Sequence, residues 1–364
     1  MLAGHFRASH KHRSRALLLA LSLASGLVFA DAPPTLAQRL DAIEDVSRFT
    51  PLRALPMLAK VEQESRAAPL AEKAHFLDVA CNTHDSLGHH ELAARLCDEL
   101  IQLGQQHADN TIVARGMLIK GYVLFSMNER ARSHQLVWQA EKLAENSPDM
   151  ELRVRVTVSS GQSYAEEGNF PMALTKLQAA ATLARQSGKP KLITIAFNSL
   201  AFLYNQMREH DKGFDALKEA YAAAESLDSP GRMALLKNTE YGLAMDSGQI
   251  QRGLKAMQAA IELERKIDAG PMIAGSLVNL SDCYLKLKDY RNALATAQQA
   301  LAQARVINDE SSVATARVNI GQVYIAMGRL ADGKKSIEEG MAWYEKSGDK
   351  PELQSVLAEY GEVL

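Results

Sequence analysis

The sequence predicts an all-α fold, a solenoid of antiparallel helix pairs, on three observations. Aromatic residues make up only 6% of the 364, and the chain is rich in Ala, Leu, Gln, Glu and Lys, side chains that lose little rotamer freedom in a helix. A period of 40 runs through it: Gly88, Gly168, Gly248 and Gly328 stand 80 apart in matching short turns, with Asn128, Arg208 and Lys288 halfway between. Five residues after each turn stands a small side chain, namely Ala93, Ser133, Ala173, Gly213, Gly253, Ala293 and Gly333.

Columns before the turn define the first helix of each unit. Seven before it lie Cys81, Gly121, Gly161, Ala201, Tyr241, Ser281 and Gly321; four before it lie His84, Leu124, Tyr164, Tyr204, Ala244, Tyr284 and Tyr324. Columns after it define the second helix. Nine after it are Cys97, Val137, Leu177, Leu217, Met257, Ala297 and Ile337; twelve after it, Leu100 leads a run of Ala140, Ala180, Ala220, Ala260, Ala300 and Gly340. Spacings of three, four and their sums give each half one apolar stripe. The small columns mark where two helices cross, and the Tyr column fills the gap between neighbouring pairs.

Unit ends combine helix stop and start signals, as in Asn146-Ser147-Pro148-Asp149, Gly188-Lys189-Pro190, Asp228-Ser229-Pro230-Gly231 and Ala269-Gly270-Pro271. Seven units follow: 71–110, 111–150, 151–190, 191–230, 231–270, 271–310 and 311–350. No such unit buries its apolar face alone. Residues 31–70 read as a divergent helix pair, broken at Phe49-Thr50-Pro51, that would cap the N-terminal end. Residues 351–364 read as the first helix of a further, incomplete repeat, since Gly361 falls 40 after Gly321.

Residues 1–30 read as a secretory signal peptide. Lys11, Arg13 and Arg15 precede an apolar run from Ala16 to Val28, and Val28-Phe29-Ala30 offers a cleavage site before Asp31, the pattern a signal peptidase reads. The run is short for a membrane span. Export to the periplasm or beyond is therefore expected. Loss of Arg7, Lys11, Arg13 and Arg15 would move the formal net charge from −2 to −6. A weakly acidic body without a basic stripe argues against nucleic acid and against an anionic membrane as partners.

Small-then-Tyr before the turn, and small, large, small after it, resembles the tetratricopeptide repeat (TPR) family in a longer, 40-residue form. Gly161, Tyr164, Gly168, Ala173, Leu177 and Ala180 carry the match best, followed by Gly321, Tyr324, Gly328, Gly333, Ile337 and Gly340. The resemblance covers 71–350 and implies a right-handed superhelix whose first helices line a concave groove for a protein or peptide segment. On that resemblance the groove columns lie ten, six and three residues before each turn. The residues expected to contact a partner are Asn82, Asp85, Tyr122, Phe125, Gln162, Asn198, Phe202, Asn205, Asn238, Asp282 and Gln322. Amides suit a peptide backbone, and exposed rings suit its side chains. These columns hold almost no Lys or Arg, which argues against the cationic clamp some family members use for a C-terminal carboxylate.

Catalytic, cofactor and metal motifs are not found: there is no glycine-rich phosphate loop, nucleophile elbow or paired Cys or His-Glu metal motif. The sequence thus predicts a non-catalytic protein without cofactor. Cys81, His84 and Asp85 share a helical face, so a metal site there is conceivable. Cys81 and Cys97 occupy facing core columns, so a disulfide is geometrically possible, and an oxidising compartment would favour it. Cys283 lies outside the core columns named above, with no evident partner.

The expected function is a periplasmic scaffold or adaptor. A second expectation rests on resemblance: an exported array of 40-residue repeats is similar to the sensor region of bacterial diguanylate cyclase (GGDEF) signalling proteins. In that case the array senses a ligand, and the output domain would lie outside this chain.

Overall fold

The computed structural model describes residues 34–347, 353–354 and 356–358. Two helices lead, α1 (Leu36–Phe49) and α2 (Pro51–Ala67). Antiparallel pairs follow: α3 (Leu70–Ser86) with α4 (His90–Gln106), α5 (Asn110–Ser126) with α6 (Arg130–Ala144), and α7 (Met150–Glu166) with α8 (Phe170–Ser187). Then come α9 (Pro190–Gln206) with α10 (His210–Ala224), α11 (Pro230–Asp246) with α12 (Ile250–Lys266), α13 (Gly270–Lys286) with α14 (Tyr290–Val306), and α15 (Glu310–Ala326) with α16 (Leu330–Ser347). The leader at 1–30 lies outside the described residues, as does most of 351–364. Among the described residues no helix is long and apolar enough to cross a membrane.

Local chemistry sets the helix ends. Asp109, Asp149, Asn169, Asp289 and Asp309 each accept a hydrogen bond from a first-turn backbone N–H, satisfying donors a helix leaves orphaned. Pro190 and Pro230 open α9 and α11, where a missing N–H costs nothing. The turn column is left-handed throughout: φ is 75° at Gly88, Gly168 and Gly248, and stays positive at Asn128, Arg208 and Lys288. That conformation closes the first helix so that the second can fold back on it.

The small columns lie at the crossing of each pair. A Cβ added at Gly321 would come within 2.5 Å of Ile337 and 2.8 Å of the Gly333 carbonyl oxygen, so neither helix could stay where it is. Where a column carries a hydroxyl, that hydroxyl bonds the opposite backbone: Ser133 Oγ donates to the Gly121 carbonyl at 2.7 Å, and Ser281 Oγ to that of Ala293 at 2.8 Å. The structure joins Cys81 and Cys97, in the same crossing of α3 and α4, as a disulfide with Cα atoms 5.8 Å apart.

Two sequence readings need correction. Cys283 lies inside the core, fully buried with its Sγ 3.8 Å from the Met245 Sδ. Its column, five residues before the turn, includes Thr83, Val123, Leu203, Leu243 and Val323, all buried. Burial pushes the Cys283 thiol up to about 12. The suggested metal set also dissolves: the Cys81 sulfur is bound to Cys97, while His84 turns to His89 (Nδ1–Nδ1 3.2 Å) and Asp85 to His90 (2.8 Å).

Helix α1 does more than cap an end. Neighbouring first helices pack side by side, α3 on α5, α5 on α7, α7 on α9 and α9 on α11, and α1 lies across that row. It is tied to α3 by Ser47 and Thr83, whose hydroxyls are 2.6 Å apart. It reaches α9 through Glu44, 3.4 Å from Lys191, and α11 through Phe49. A Cβ at Gly231 would sit 2.6 Å from the Phe49 ring, so only glycine admits this approach.

Candidate functional site

The inner face is built from the first helices, and its polar residues join repeat to repeat. Tyr122 and Ser159 share a hydrogen bond at 2.6 Å, Gln162 donates to Ser199 Oγ at 3.4 Å, and Tyr241 donates to Asp282 at 3.1 Å. Asn205 donates to Asp246 at 2.5 Å and Ser126 to Asp85 at 3.3 Å. These bonds link positions 37 or 41 apart, so each ties one repeat to the next.

Two cavities open along this face. The first, of about 350 Å³, is walled by Phe125, Ala165, Leu177, Phe202 and Leu203, with His134 and Gln206 as polar members. The second, of about 360 Å³, is walled by Glu44, Ser47 and Arg48 of α1, by Asn82, and by Arg155 and Val158 of α7. They share Tyr122, Ser159, Gln162 and Ser199. One row of hydroxyls and an amide, running across α5, α7 and α9, thus separates an aromatic compartment from a charged one. Each volume is within the range of small-ligand pockets.

In the aromatic compartment Phe202 is 55% exposed and Phe125 38%, so both rings are accessible to a ligand. Arg130 caps the Phe125 ring at 4.9 Å from its centroid. His134 is buried in the wall. Its Nδ1 faces Glu167 at 3.3 Å, while its Nε2 has no hydrogen-bond partner among the described residues, the nearest carboxylate being Glu166 at 3.8 Å.

The charged compartment belongs to a wider ion network. His75 lies 3.5 Å from Glu44 and 3.9 Å from Asp41, and Lys191 bridges Glu44 and Glu151 at 3.4 and 2.9 Å. Arg115 donates to Asp78 at 3.1 Å and also pairs with Asp149. The His75 hydrogen bond, reinforced by Lys191, Arg155 and Arg48, holds the Glu44 carboxyl well below the usual range although burial opposes it. Burial would lower the His75 imidazole, but Glu44, Asp78 and Asp41 outweigh it and raise it. Burial and the neighbouring Arg155 push the Arg48 guanidinium below its ordinary value. Arg155 itself makes no ion pair or hydrogen bond among the described residues.

Of the residues expected at the groove, Tyr122, Phe125, Gln162 and Phe202 line the aromatic compartment, and Asn82, Tyr122 and Gln162 the charged one. Asp85, Asn205 and Asp282 are engaged in the bonds just given. Asn238 turns to the Ala234 carbonyl and to Glu264, and Gln322 to Asn319. Asn198 is half-buried, its Oδ1 without a hydrogen-bond partner among the described residues. In the column ten before the turn, Asp78, Leu118 and Val318 are buried, while Val158, also buried, lines the charged compartment.

The near-absence of cations from the groove also needs correction. Arg155 faces the cavity from the column thirteen before the turn, which reads His75, Arg115, Arg155, Ile195, Leu235, Gly275 and Thr315. One further helical turn along the groove stripe would have disclosed it. Arg48 could not have been found this way, since α1 lies outside the repeat.

The family model described as tetratricopeptide repeat matches residues 274–305 and 314–347. The 43 kDa receptor-associated protein of the synapse from Gallus gallus is 25% identical over 242 residues, 64% of this chain and 56% of that relative. Its counterpart from Tetronarce californica is 25% identical over 245 residues, with the same coverage. The chain thus spans little more than half the length of these relatives. Among solved structures, the APC/C hetero-tetramer Cut9–Hcn1 gives a TM-score of 0.60 at 16% identity, over 89% of this chain and 55% of that one. A Rap protein complexed with competence and sporulation factor gives 0.59 at 11%, over 90% and 97%. The apo quorum sensor NprR from B. thuringiensis gives 0.59 at 15%, over 90% and 92%. At such identities the likeness establishes the fold. The chain is a right-handed α-solenoid of antiparallel helix pairs, similar in fold to tetratricopeptide repeat structures.

Proposed function

We propose that this chain is a non-catalytic scaffold or adaptor, exported to the periplasm or beyond, that binds a protein or peptide segment along the inner face of its superhelix. The observation that carries the reading is the pair of compartments joined by Tyr122, Ser159, Gln162 and Ser199. They run across three repeats, as an extended segment would, and combine exposed rings with amides and hydroxyls. Hot spots of this kind rest on a few aromatic anchors in a preformed pocket. The matched Rap structure holds a bound factor, which accords with ligand binding on this scaffold.

Crosslinking in the native compartment followed by mass spectrometry tests it. Wild type should capture a defined partner, and the Tyr122→Ala, Phe202→Ala double variant should lose it. Equal capture by both would show that the groove is not the site. Fractionation of a tagged chain checks the location: recovery in the cytoplasm contradicts export.

A second reading, a ligand-sensing region of a signalling protein, draws on α1. A ligand seated against Glu44 and Arg48 would touch the helix that ties α3 to α9 and α11, and so would bear on the pitch of the superhelix. Ligand-induced change in small-angle scattering, absent in a chain lacking 34–50, is its expected signature. An unchanged profile on saturation excludes it.

A further inference from the structure

We propose that the inner face reads a two-residue code: an acidic side chain seated against Arg48 and Arg155, and an aromatic one in the Phe125–Phe202 compartment, at odd separation along an extended peptide. The proposal rests on the groove reading above and adds the chemistry and spacing of its ligand.

The charge argument starts from Arg155. It is half-buried, lines the cavity and has no ion pair or hydrogen bond among the described residues. Arg48, on the opposite wall, pairs among the described residues with Glu44 alone, at 3.8 Å. Glu44 is itself shared with His75 and Lys191, and Arg155, whose charge Tyr122, Asp78, Glu44 and Glu151 support against burial, has no carboxylate in direct contact among the described residues. Burial is the larger cause that lowers Arg48, and repulsion from Arg155 across the cavity adds to it. A carboxylate between them would relieve that repulsion and accept fork-like hydrogen bonds from both. Ser47, Asn82 and Ser86 add polar groups to that wall, beside Val79, Val158 and Ile195.

The spacing argument comes from the row that divides the compartments. Tyr122, Ser159 and Ser199 stand on successive first helices, so a chain laid along the row crosses α5, α7 and α9 in turn. Gln162 lies on both compartments and is exposed, placed to pair with a passing peptide backbone. In an extended strand successive side chains point to opposite sides. Side chains at i and i+1, or at i and i+3, therefore enter opposite compartments, whereas i and i+2 enter the same one. A backbone that continues past the row makes the acidic group a side chain and not a chain end. Phe125, Phe202 and Leu203 in the other wall favour an aromatic ring, for which tyrosine serves as the probe.

The test uses the purified full chain and capped peptides, acetylated and amidated, so that no terminal carboxylate is present. Each carries one Tyr and one Glu in a Gly/Ser background at separations of one to four, with Gln counterparts. Fluorescence anisotropy or ligand-observed NMR should show the Glu peptides at separations one and three binding about tenfold or more tighter than their Gln counterparts. Arg155→Gln should remove that preference while leaving the Gln peptides unchanged. Arg48→Gln, on α1 outside the repeat array, serves if Arg155→Gln does not fold, as judged by circular dichroism. Equal binding of Glu and Gln peptides overturns the anion site and leaves the groove reading standing. Equal binding at even and odd separations overturns the extended register. Binding of no peptide in the set overturns both the code and the groove reading.

Discussion

The Glu44 carboxylate lies 3.4 Å from the Lys191 ammonium across 147 positions of sequence. An ideal solenoid makes contacts only between neighbouring units; this one bends back far enough for its leading helix to touch the fourth and fifth pairs. The pair is half-buried, with 30% and 26% of the side chains exposed, so its worth lies between that of a surface and a buried pair.

Glu44→Gln should therefore loosen α1 selectively, by about 1–2 kcal/mol. Hydrogen exchange should rise in 36–49 and remain unchanged in α13 to α16. The lowered carboxyl of Glu44 contributes above its ordinary 4.5 and is lost as pH falls through its folded value. The raised imidazole of His75 contributes fully below 6.5 and is lost as pH rises through its folded value. Protection of α1 is accordingly expected to peak between pH 4.5 and 6.5. A flat profile would rule out this ion network as its anchor.

Glu264 gives the opposite sign. It is fully buried, accepts from Ser276 at 2.7 Å and Asn238 at 3.4 Å, and leaves Oε2 without a hydrogen-bond partner among the described residues. Burial raises its carboxyl, so its ionisation weighs against folding as pH rises through that raised value. Glu264→Gln should raise the urea midpoint at pH 7, by an amount equivalent to about 1–2 kcal/mol, and change little at pH 4. A loss of stability at pH 7 would contradict this account.

Lys288 holds φ at 62°, where Gly88, Gly168 and Gly248 hold 75°. A side chain in that region costs about 1 kcal/mol against glycine. Lys288→Gly should thus raise the thermal midpoint slightly, by about 0.5–1 kcal/mol in stability. Arg208→Gly, at φ 59°, provides an independent repeat of the measurement.

The Cys81–Cys97 bridge closes a loop of sequence separation 16, for which chain entropy gives about 3 kcal/mol. Cys81→Ala with Cys97→Ala should lower the stability of the first pair by about 2–4 kcal/mol. The neighbouring α5–α6 pair should also soften, since each repeat leans on the next. Non-reducing mass spectrometry that finds both thiols alkylated would show that the bridge is not formed in the protein as isolated.

What the sequence disclosed follows from what repeats. Gly161, Gly321, Ala173 and Leu177 recur because one crossing geometry recurs, and a period of 40 makes such columns legible without any relative. The part of the groove at Tyr122, Gln162 and Phe202 was legible for the same reason. Cys283 was misplaced because its column mixes Thr, Val, Ser and Leu, so residue type conceals a shared burial. Arg48 and Glu44 were beyond reach: their place depends on superhelical curvature, the accumulated rotation of successive pairs, which no single column encodes. The cationic compartment is half repeat and half α1, and only the repeat half leaves a trace in the periodicity.

The seat of Phe49 against Gly231 has a bearing on how such an array can evolve. Tandem arrays ordinarily gain and lose modules by duplication, since each module asks only for a neighbour. Here α1 is a strut spanning from the first module to the fifth, cut to one length. Insertion or deletion of a single unit between α3 and α9 would leave every local crossing intact and yet carry Gly231 and Lys191 out of reach. The copy number of that stretch is held by the strut, whereas the units after α12 are free of it.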